Sequence, residues 1–230
     1  MLDKEIYLIN DSLPPLLELG EFLSKKDDAF DILVGLIEQF EKSLDPRRVT
    51  HSTRVSILAE VMGDALNLSE KEKEHLKKSA QLHDVGKIFL PKELFFKTEK
   101  LSAKEWQIVR LHPELGVALI KQIPQLLLTA NGILAHHEKF NGTGYPYGLI
   151  GKQIPLMGRI IGIVDCFEAL TASRTYHSPL SVKQALEKME KQKEQGIWDP
   201  FLFDVFAEIV SSADFVSEEK ISDLNLIFKN

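Results

Sequence analysis

The sequence lacks the features expected of a secreted, membrane-spanning or nucleic-acid-binding protein. Its single cysteine, Cys166, cannot form a disulfide within the chain, which favours a reducing compartment. No apolar run approaches the ~18 residues of a membrane span, and the opening MLDKEIYLIN has no basic region followed by an apolar one. Acidic residues outnumber basic ones, 34 to 28, which argues against a nucleic-acid-binding face. We therefore expect a cytoplasmic protein with no membrane or nucleic-acid partner.

The chain does contain enough apolar sequence for one folded domain. Its 230 residues are 44% hydrophobic and 27% charged, close to the averages for globular proteins. Apolar residues recur at helical spacing in one segment after another, and little of the sequence alternates as a strand would. These patterns predict an all-α fold.

Helix starts are indicated by capping residues and prolines. Capping boxes or first-turn prolines are predicted at Ser69 with Glu72, at Ser102 with Glu105, at Pro113 and at Pro124. Helices are predicted over about 52–66, from 69 toward 83, over 156–171, from 181 to near 196 and over 200–212. Gly86 and Pro91 should end the second of these.

The first 44 residues are predicted to be a separate helical lead-in that ends before Pro46. Its apolar residues recur at helical spacing: Phe30, Leu33, Leu36, Ile37 and Phe40. The segment is too short for a standard receiver domain. A degenerate sensor, a dimerisation segment of a homodimer, and a helix packed on the main domain all remain open. We place the domain boundary between residues 1–44 and 45–230.

Histidine and aspartate residues carry the clearest chemistry in the chain. The candidate set is His51, His83, Asp84, His112, His136, His137 and Asp165. Imidazole and carboxylate together suit first-row transition metals, and one carboxylate can bridge two ions. Each residue alone is more often a cap, a turn or an exposed side chain, but adjacent His-Asp and His-His pairs rarely coincide by chance. The set predicts a metallohydrolase centre, with Asp165 buried in mid-helix because it ligates a metal.

Four motifs follow one another in a specific order. They are HDVGK (83–87), HPELG (112–116), HHEKFNGTGYPYGL (136–149) and RIIGIVDCFEALTASRTY (159–176). Together they resemble the HD-GYP family of bacterial phosphodiesterases, over about residues 45–210. The resemblance implies an HD-domain-like helical bundle around two or three metal ions, often iron or manganese. It also implies hydrolysis of the bacterial second messenger cyclic di-GMP to linear pGpG, and in some members onward to GMP.

The same resemblance implies a ligand set for each ion. One ion would be held by His51, His83, Asp84 and Asp165. Asp84 would bridge to a second ion, whose other ligands would be His112, His136 and His137. Members with a third metal carry a glutamate four residues before the first histidine. Arg47 stands there in this chain, so we expect two divalent ions, iron or manganese.

Two catalytic residues are implied, Asp84 as the bridge and Lys87 facing the scissile phosphate, where a cation stabilises developing charge. The GYP loop comprises Gly144, Tyr145 and Pro146. Tyr145 would contact a substrate phosphate or stack on a base, unless it only packs the loop.

Two further substrate-binding residues follow the last metal ligand. Arg174 matches a family arginine that contacts phosphate or guanine, and a guanidinium fork suits either. His177 stands where the family usually has Lys or Arg, and a neutral imidazole there would weaken phosphate attraction.

The leading hypothesis is a cyclic di-GMP phosphodiesterase that works by two-metal activation of a bridging hydroxide. One alternative is a signalling module that binds cyclic di-GMP or a GGDEF-domain protein without hydrolysis. Family members are reported to contact GGDEF-type cyclases through the GYP loop. The complete ligand set argues against this alternative, whereas His177 keeps it open. Another alternative is an HD-superfamily hydrolase of a different nucleotide.

Overall fold

The structure is a computed structural model that describes residues 14–44, 51–97, 99–172 and 179–212. Within these ranges the regular elements are helical, apart from one isolated antiparallel bridge between Asn141 and Ile150. The prediction of an all-α fold is confirmed. None of the described helices is both long enough and apolar enough to cross a membrane.

The helices are numbered in chain order, and α1 occupies residues 14–24 of the described part. The others are α2 (Ala29–Leu44), α3 (His51–Ala65), α4 (Glu70–Leu82), α5 (Glu93–Phe96), α6 (Ala103–Val109), α7 (His112–Ile120), α8 (Ala130–Ala135), α9 (Leu156–Thr171), α10 (Val182–Glu194) and α11 (Pro200–Ser211). Short 3-10 helices occupy Val85–Phe89, Pro124–Thr129 and Gly151–Gln153.

The predicted helix starts are largely confirmed. The Ser69 hydroxyl accepts a hydrogen bond from the backbone N–H of Glu72, and the Glu72 carboxylate accepts one from the Ser69 N–H. Ser102 and Glu105 form the same reciprocal pair at the start of α6. Pro113 lies in the first turn of α7. The sequence from Pro124 was expected to form one helix, but it forms a 3-10 helix followed by α8.

The predicted course of α4 from 69 toward 83 is confirmed, but the helix ends before Gly86 and Pro91, which were expected to end it. The helix ends at Leu82, with His83 as its C-cap, and the chain then tightens into the 3-10 helix Val85–Phe89. Gly86 permits this turn to lie directly on α7, since a Cβ on Gly86 would stand 1.9 Å from the carbonyl oxygen of His112. The early helix end therefore brings the segment that contains Asp84 against the start of α7.

Two hydrophobic clusters hold the helices together, and α4 contributes to both. The first joins α3, α4, α9, α10 and α11, and in it the rings of Phe167 and Phe206 meet edge to face at 5.0 Å. The second joins α1, α2 and α7 with the end of α4, the Val85–Phe89 turn, Ile133 of α8 and the chain around Ile123. The C-terminus of α4 thus stands where the two clusters meet.

The lead-in packs into the second cluster. Leu33 and Ile37 of α2 are buried there together with Leu82 and Val85. The apolar stripe is therefore covered within the chain, which is the packed arrangement considered above. The domain boundary at residue 44 stays a prediction, and Arg47 lies outside the described residues.

Candidate metal centre

Six of the seven predicted ligands stand at helix ends. His51 is the first residue of α3, His112 is the first residue of α7, and His83 and His136 are the C-caps of α4 and α8. Asp84 and His137 directly follow the two C-caps. Neighbouring residues can approach a common point from different directions at such termini, which a continuous helix would prevent. The structure brings all seven side chains together.

The ligand atoms form two groups, and within each group they lie within 4.8 Å of one another. The His112 group contains Asp84, His112, His136 and His137. The His51 group contains His51, His83 and Asp165. The sets expected from the sequence divide the residues in the same way, except that Asp84 was also expected beside His51, His83 and Asp165. Metal ligation by these residues stays a prediction.

Asp84 stands between the two groups and turns one carboxylate oxygen toward each. Its Oδ1 lies 3.3 Å from Nε2 of His112 and 3.9 Å from Nε2 of His136. Its Oδ2 lies 3.4 Å from Nε2 of His83 and 3.9 Å from Nε2 of His51. A carboxylate in this orientation can bridge two ions.

Backbone carbonyls orient three of the imidazoles. Nδ1 of His83, His112 and His136 each lies 2.7 Å from the carbonyl oxygen three residues earlier in the chain. A hydrogen bond from Nδ1–H to that oxygen leaves Nε2 as the free donor atom facing the centre. The local helix geometry thus selects the tautomer that a metal requires.

His51 is oriented differently, by a carboxylate from another helix. Its Nδ1 lies 2.5 Å from Oε2 of Glu168 in α9, and Oε1 of Glu168 accepts hydrogen bonds from Arg54. Sequence reasoning missed Glu168 and Arg54. A signal existed, because each follows a ligand of its own helix by three residues and so shares that ligand's face.

The donor set fits divalent transition-metal ions. His83 Nε2 and Asp84 Oδ1 are buried and have no hydrogen-bond partner among the described residues. Buried polar atoms without partners are costly, and metal coordination is one way to satisfy them. Five imidazoles and two carboxylates are also the ligand types that such ions prefer.

The electrostatic environment differs between the groups. Burial lowers the pKa of His112 to about 4, and burial together with neighbouring imidazoles lowers the pKa values of His136 and His137 well below the usual range. Burial also disfavours the charged form of His83, but the carboxylates of Asp84 and Asp165 outweigh it and raise the pKa of His83 to about 9. The imidazoles of the His112 group are therefore neutral, as metal ligands must be.

Asp165 is less buried than the sequence predicted. We predicted a buried carboxylate, yet 21% of the side chain is exposed. Asp165 lines a cleft that opens beside the centre, while its Oδ1 stays 3.5 Å from Nε2 of His51. Its helix neighbours Ile161 and Val164 are buried, which made the burial of the carboxylate look greater than it is.

Lys87 lines the same cleft together with Asp84 and His137. Its ammonium group contacts Oδ2 of Asp84. Burial alone would raise the pKa of Asp84, but Lys87 and His83 hold it well below its usual range. Asp84 is therefore ionised, as a bridging ligand has to be.

The GYP loop packs directly on the His112 group. The Tyr145 ring stacks on His137 at 4.7 Å with 27° between the planes, and the guanidinium of Arg110 lies 5.1 Å above the tyrosine ring.

The buried Glu138 holds the GYP loop in place by accepting hydrogen bonds from the backbone N–H groups of Tyr147 and Leu149. Gly144 fits only without a side chain, since its Cβ would stand 2.3 Å from the backbone nitrogen of Lys139. Burial raises the pKa of the Tyr145 hydroxyl, which therefore stays protonated.

Arg174 and His177 lie outside the described residues, so their predicted roles in substrate binding stay predictions.

Comparison with known proteins identifies the family. The HD-domain family matches residues 36–202, which is more than half of the chain. The chain belongs to the HD-domain family. Its ordered HD and GYP motifs and its relatives place it in the HD-GYP branch.

Curated relatives and a solved structure agree with this assignment. A 3′3′-cGAMP-specific phosphodiesterase 2 of Vibrio cholerae is 38% identical over 160 residues, which are 69% of this chain and 30% of the relative. The cyclic di-GMP phosphodiesterase response regulator RpfG of Xanthomonas campestris is 34% identical over 149 residues, 64% of this chain and 39% of the relative. The chain thus spans less than half of the length of these relatives. The HDG"Y"P protein Bd1817 of Bdellovibrio bacteriovorus shares the fold, with a TM-score of 0.59 and 21% identity over 90% of this chain and 70% of its own.

Proposed function

We propose that this HD-GYP domain hydrolyses a phosphodiester bond of a cyclic dinucleotide, with cyclic di-GMP as the leading substrate. The observation that carries the proposal is the orientation of Asp84, which turns one oxygen toward each group of ligand atoms. The V. cholerae and X. campestris relatives named above are phosphodiesterases of cyclic dinucleotides, which supports the substrate class.

In this proposal the chain holds two divalent ions, iron or manganese. The His51 group and Asp84 would bind one, and the His112 group, which shares Asp84, would bind the other. Bound ions would supply Lewis-acid activation of water and neutralise charge that develops on the phosphate. The protein contributes neutral imidazoles in the His112 group and an ionised carboxylate, that of Asp84.

Lys87 would act on the substrate directly. Its ammonium group lies in the cleft beside Asp84, so it can donate hydrogen bonds to a phosphate oxygen that enters the cleft. Charge on that oxygen increases in the transition state, and a positioned cation stabilises it more strongly there than in the ground state.

The GYP loop would shape the substrate side of the His112 group. Tyr145 keeps its proton and is fixed by stacking on His137, so its hydroxyl would donate to the substrate without acting as a base. Gly144 and Pro146 would hold the loop close to the centre, and Arg174 and His177 would contact the phosphate or a base. Contact of this loop with a GGDEF-domain protein, and assembly into a homodimer, are further proposals.

A second candidate is hydrolysis of a mixed cyclic dinucleotide. The 38% identical V. cholerae relative is specific for 3′3′-cGAMP. In both candidates the substrate contains guanine, and the same metal centre would perform the hydrolysis.

The test is product release from purified protein loaded with iron(II) or with manganese(II). Cyclic di-GMP, 3′3′-cGAMP and cyclic di-AMP are supplied separately, and linear products are resolved by chromatography. We expect pGpG from cyclic di-GMP and no product after chelation of the metals. Full metal occupancy with no turnover of any of the three compounds would reject hydrolysis in favour of a binding module.

A further inference from the structure

The cleft beside the metal centre is lined by the lead-in helix as well as by metal ligands. Ile37, Phe40 and Leu44 of α2 line it, and so does Phe95 of α5. The rings of Phe40 and Phe95 meet edge to face at 5.4 Å. The cleft thus combines apolar and aromatic walls with the charged groups of the centre, which is the usual composition of a site for a flat, partly apolar ligand.

A buried carboxylate lies on this apolar wall. Glu41 of α2 is 7% exposed, and its Oε1 accepts a hydrogen bond of 2.7 Å from the hydroxyl of Ser52, the neighbour of the ligand His51. Its Oε2 is buried and has no hydrogen-bond partner among the described residues. A buried acceptor without a donor is costly, so an unpartnered oxygen in a binding cleft points to a donor that the ligand brings.

The unpartnered oxygen of Glu41 is better suited to a hydrogen-bond donor than to a metal ion. Glu41 belongs to neither group of ligand atoms among the described residues, and its cleft neighbours on α2 are apolar. A cation needs several ligand atoms at one point, whereas a donor needs only the free oxygen.

We propose that this part of the cleft binds the guanine base of the cyclic dinucleotide, and that Glu41 distinguishes guanine from adenine. Guanine presents N1–H and the N2 amino group side by side, and a carboxylate can accept from both because each oxygen has a second lone pair. Adenine presents an acceptor nitrogen in place of N1–H, which an acceptor-only carboxylate repels. The ring would lie against Phe40 and Phe95. The inference rests on the proposed function and names the part of the substrate that α2 recognises.

The experiment uses the full chain with both metals loaded and the variant Glu41→Gln, which keeps the size and the contact with Ser52. We expect kcat/KM for cyclic di-GMP to fall at least about tenfold, mainly through KM, because one paired acceptor becomes a donor. The ratio of kcat/KM for cyclic di-GMP to that for cyclic di-AMP should fall by a similar factor. Hydrolysis of bis(p-nitrophenyl) phosphate, which has no base, should not change. Glu38→Gln on the same helix is the matched control.

Several outcomes would overturn the assignment. The first is that Glu41→Gln leaves the ratio of kcat/KM for cyclic di-GMP to that for cyclic di-AMP unchanged. The second is that its activity on bis(p-nitrophenyl) phosphate falls as much as its activity on cyclic di-GMP. The third is that the variant binds one metal ion fewer than the wild type. If the wild type cleaves no cyclic dinucleotide, the proposed function fails but this inference is still tested, by calorimetric binding of GMP and AMP. The wild type should then prefer GMP and Glu41→Gln should not.

A second variant covers the case in which Glu41→Gln does not fold. Ser52→Ala removes the hydrogen bond that fixes Oε1 of Glu41. It should lower the guanine preference by about three- to tenfold, in line with one neutral hydrogen bond. An unchanged preference in Ser52→Ala, with an unchanged melting temperature, would contradict a fixed carboxylate as the recognition element.

Discussion

The two ligand groups of the metal centre differ in what orients their imidazoles. In the His112 group, His112 and His136 donate to backbone carbonyls of their own helical turns. In the His51 group, His51 faces the side chain of Glu168, which stands 117 residues away in sequence. His83 of the His51 group also faces a backbone carbonyl, so His51 is the imidazole of that group that depends on a removable side chain. The two groups can therefore be weakened independently by mutation.

The largest effect on metal binding and activity is expected from mutation of Asp84, which lies between the two groups. Asp84→Asn removes the shared carboxylate, so we expect both ions to bind weakly and kcat/KM to fall at least about 10³-fold, since each catalytic ion supplies several kcal/mol. Elemental analysis after dialysis should show less than one ion per chain. Asp64→Asn, on the exposed part of α3, is the control. Retention of two ions by Asp84→Asn would show that Asp84 is not the bridge.

Lys87→Ala should affect catalysis while leaving both groups intact. Loss of a cation that stabilises transition-state charge is expected to lower kcat about 10²-fold. Metal content should remain that of the wild type, because Lys87 is not a ligand. Lys92→Ala, on an exposed neighbouring lysine, provides the comparison. A normal kcat in Lys87→Ala would remove this lysine from the mechanism.

Glu168→Gln should weaken metal binding in the His51 group and leave metal binding in the His112 group unchanged. Replacing a carboxylate that supports a metal-bound histidine typically costs about 10–100-fold in metal affinity. We expect this loss for the ion of the His51 group alone, seen in a metal titration as one weakened site and one unchanged site. Glu187→Gln, exposed on α10, controls for the loss of charge. Equal weakening of both sites would contradict independent support of the two groups.

Tyr145→Phe should have the smallest effect. The ring can still stack on His137, so metal binding in the His112 group should be unchanged. Loss of one hydroxyl contact to the substrate should raise KM by less than about tenfold. Tyr147→Phe, on a tyrosine of the same loop that is 61% exposed, is a matched control. An equal response of the two variants would assign Tyr145 to packing alone.

Local chemistry explains which parts of this centre were predictable. The seven candidate ligands follow from residue type and motif, and the starts of α4 and α6 follow from Ser and Glu three residues apart. The contact of His51 with Glu168 and the place of Glu41 in the cleft depend on packing between distant helices, which no local pattern specifies. The exposure of Asp165 was misjudged for the same reason, because a helix among apolar neighbours can still turn one residue toward a cleft.

Gly86 has a consequence for ion selectivity. Because the turn after Asp84 rests on the carbonyl of His112, backbone contact fixes how far apart these two ligands stand before any ion arrives. A larger ion such as calcium, which takes six to eight oxygen ligands at about 2.3–2.6 Å, would have to push α7 away from the turn. We therefore expect calcium to bind poorly here, both because of this backbone contact and because calcium prefers oxygen ligands to imidazole.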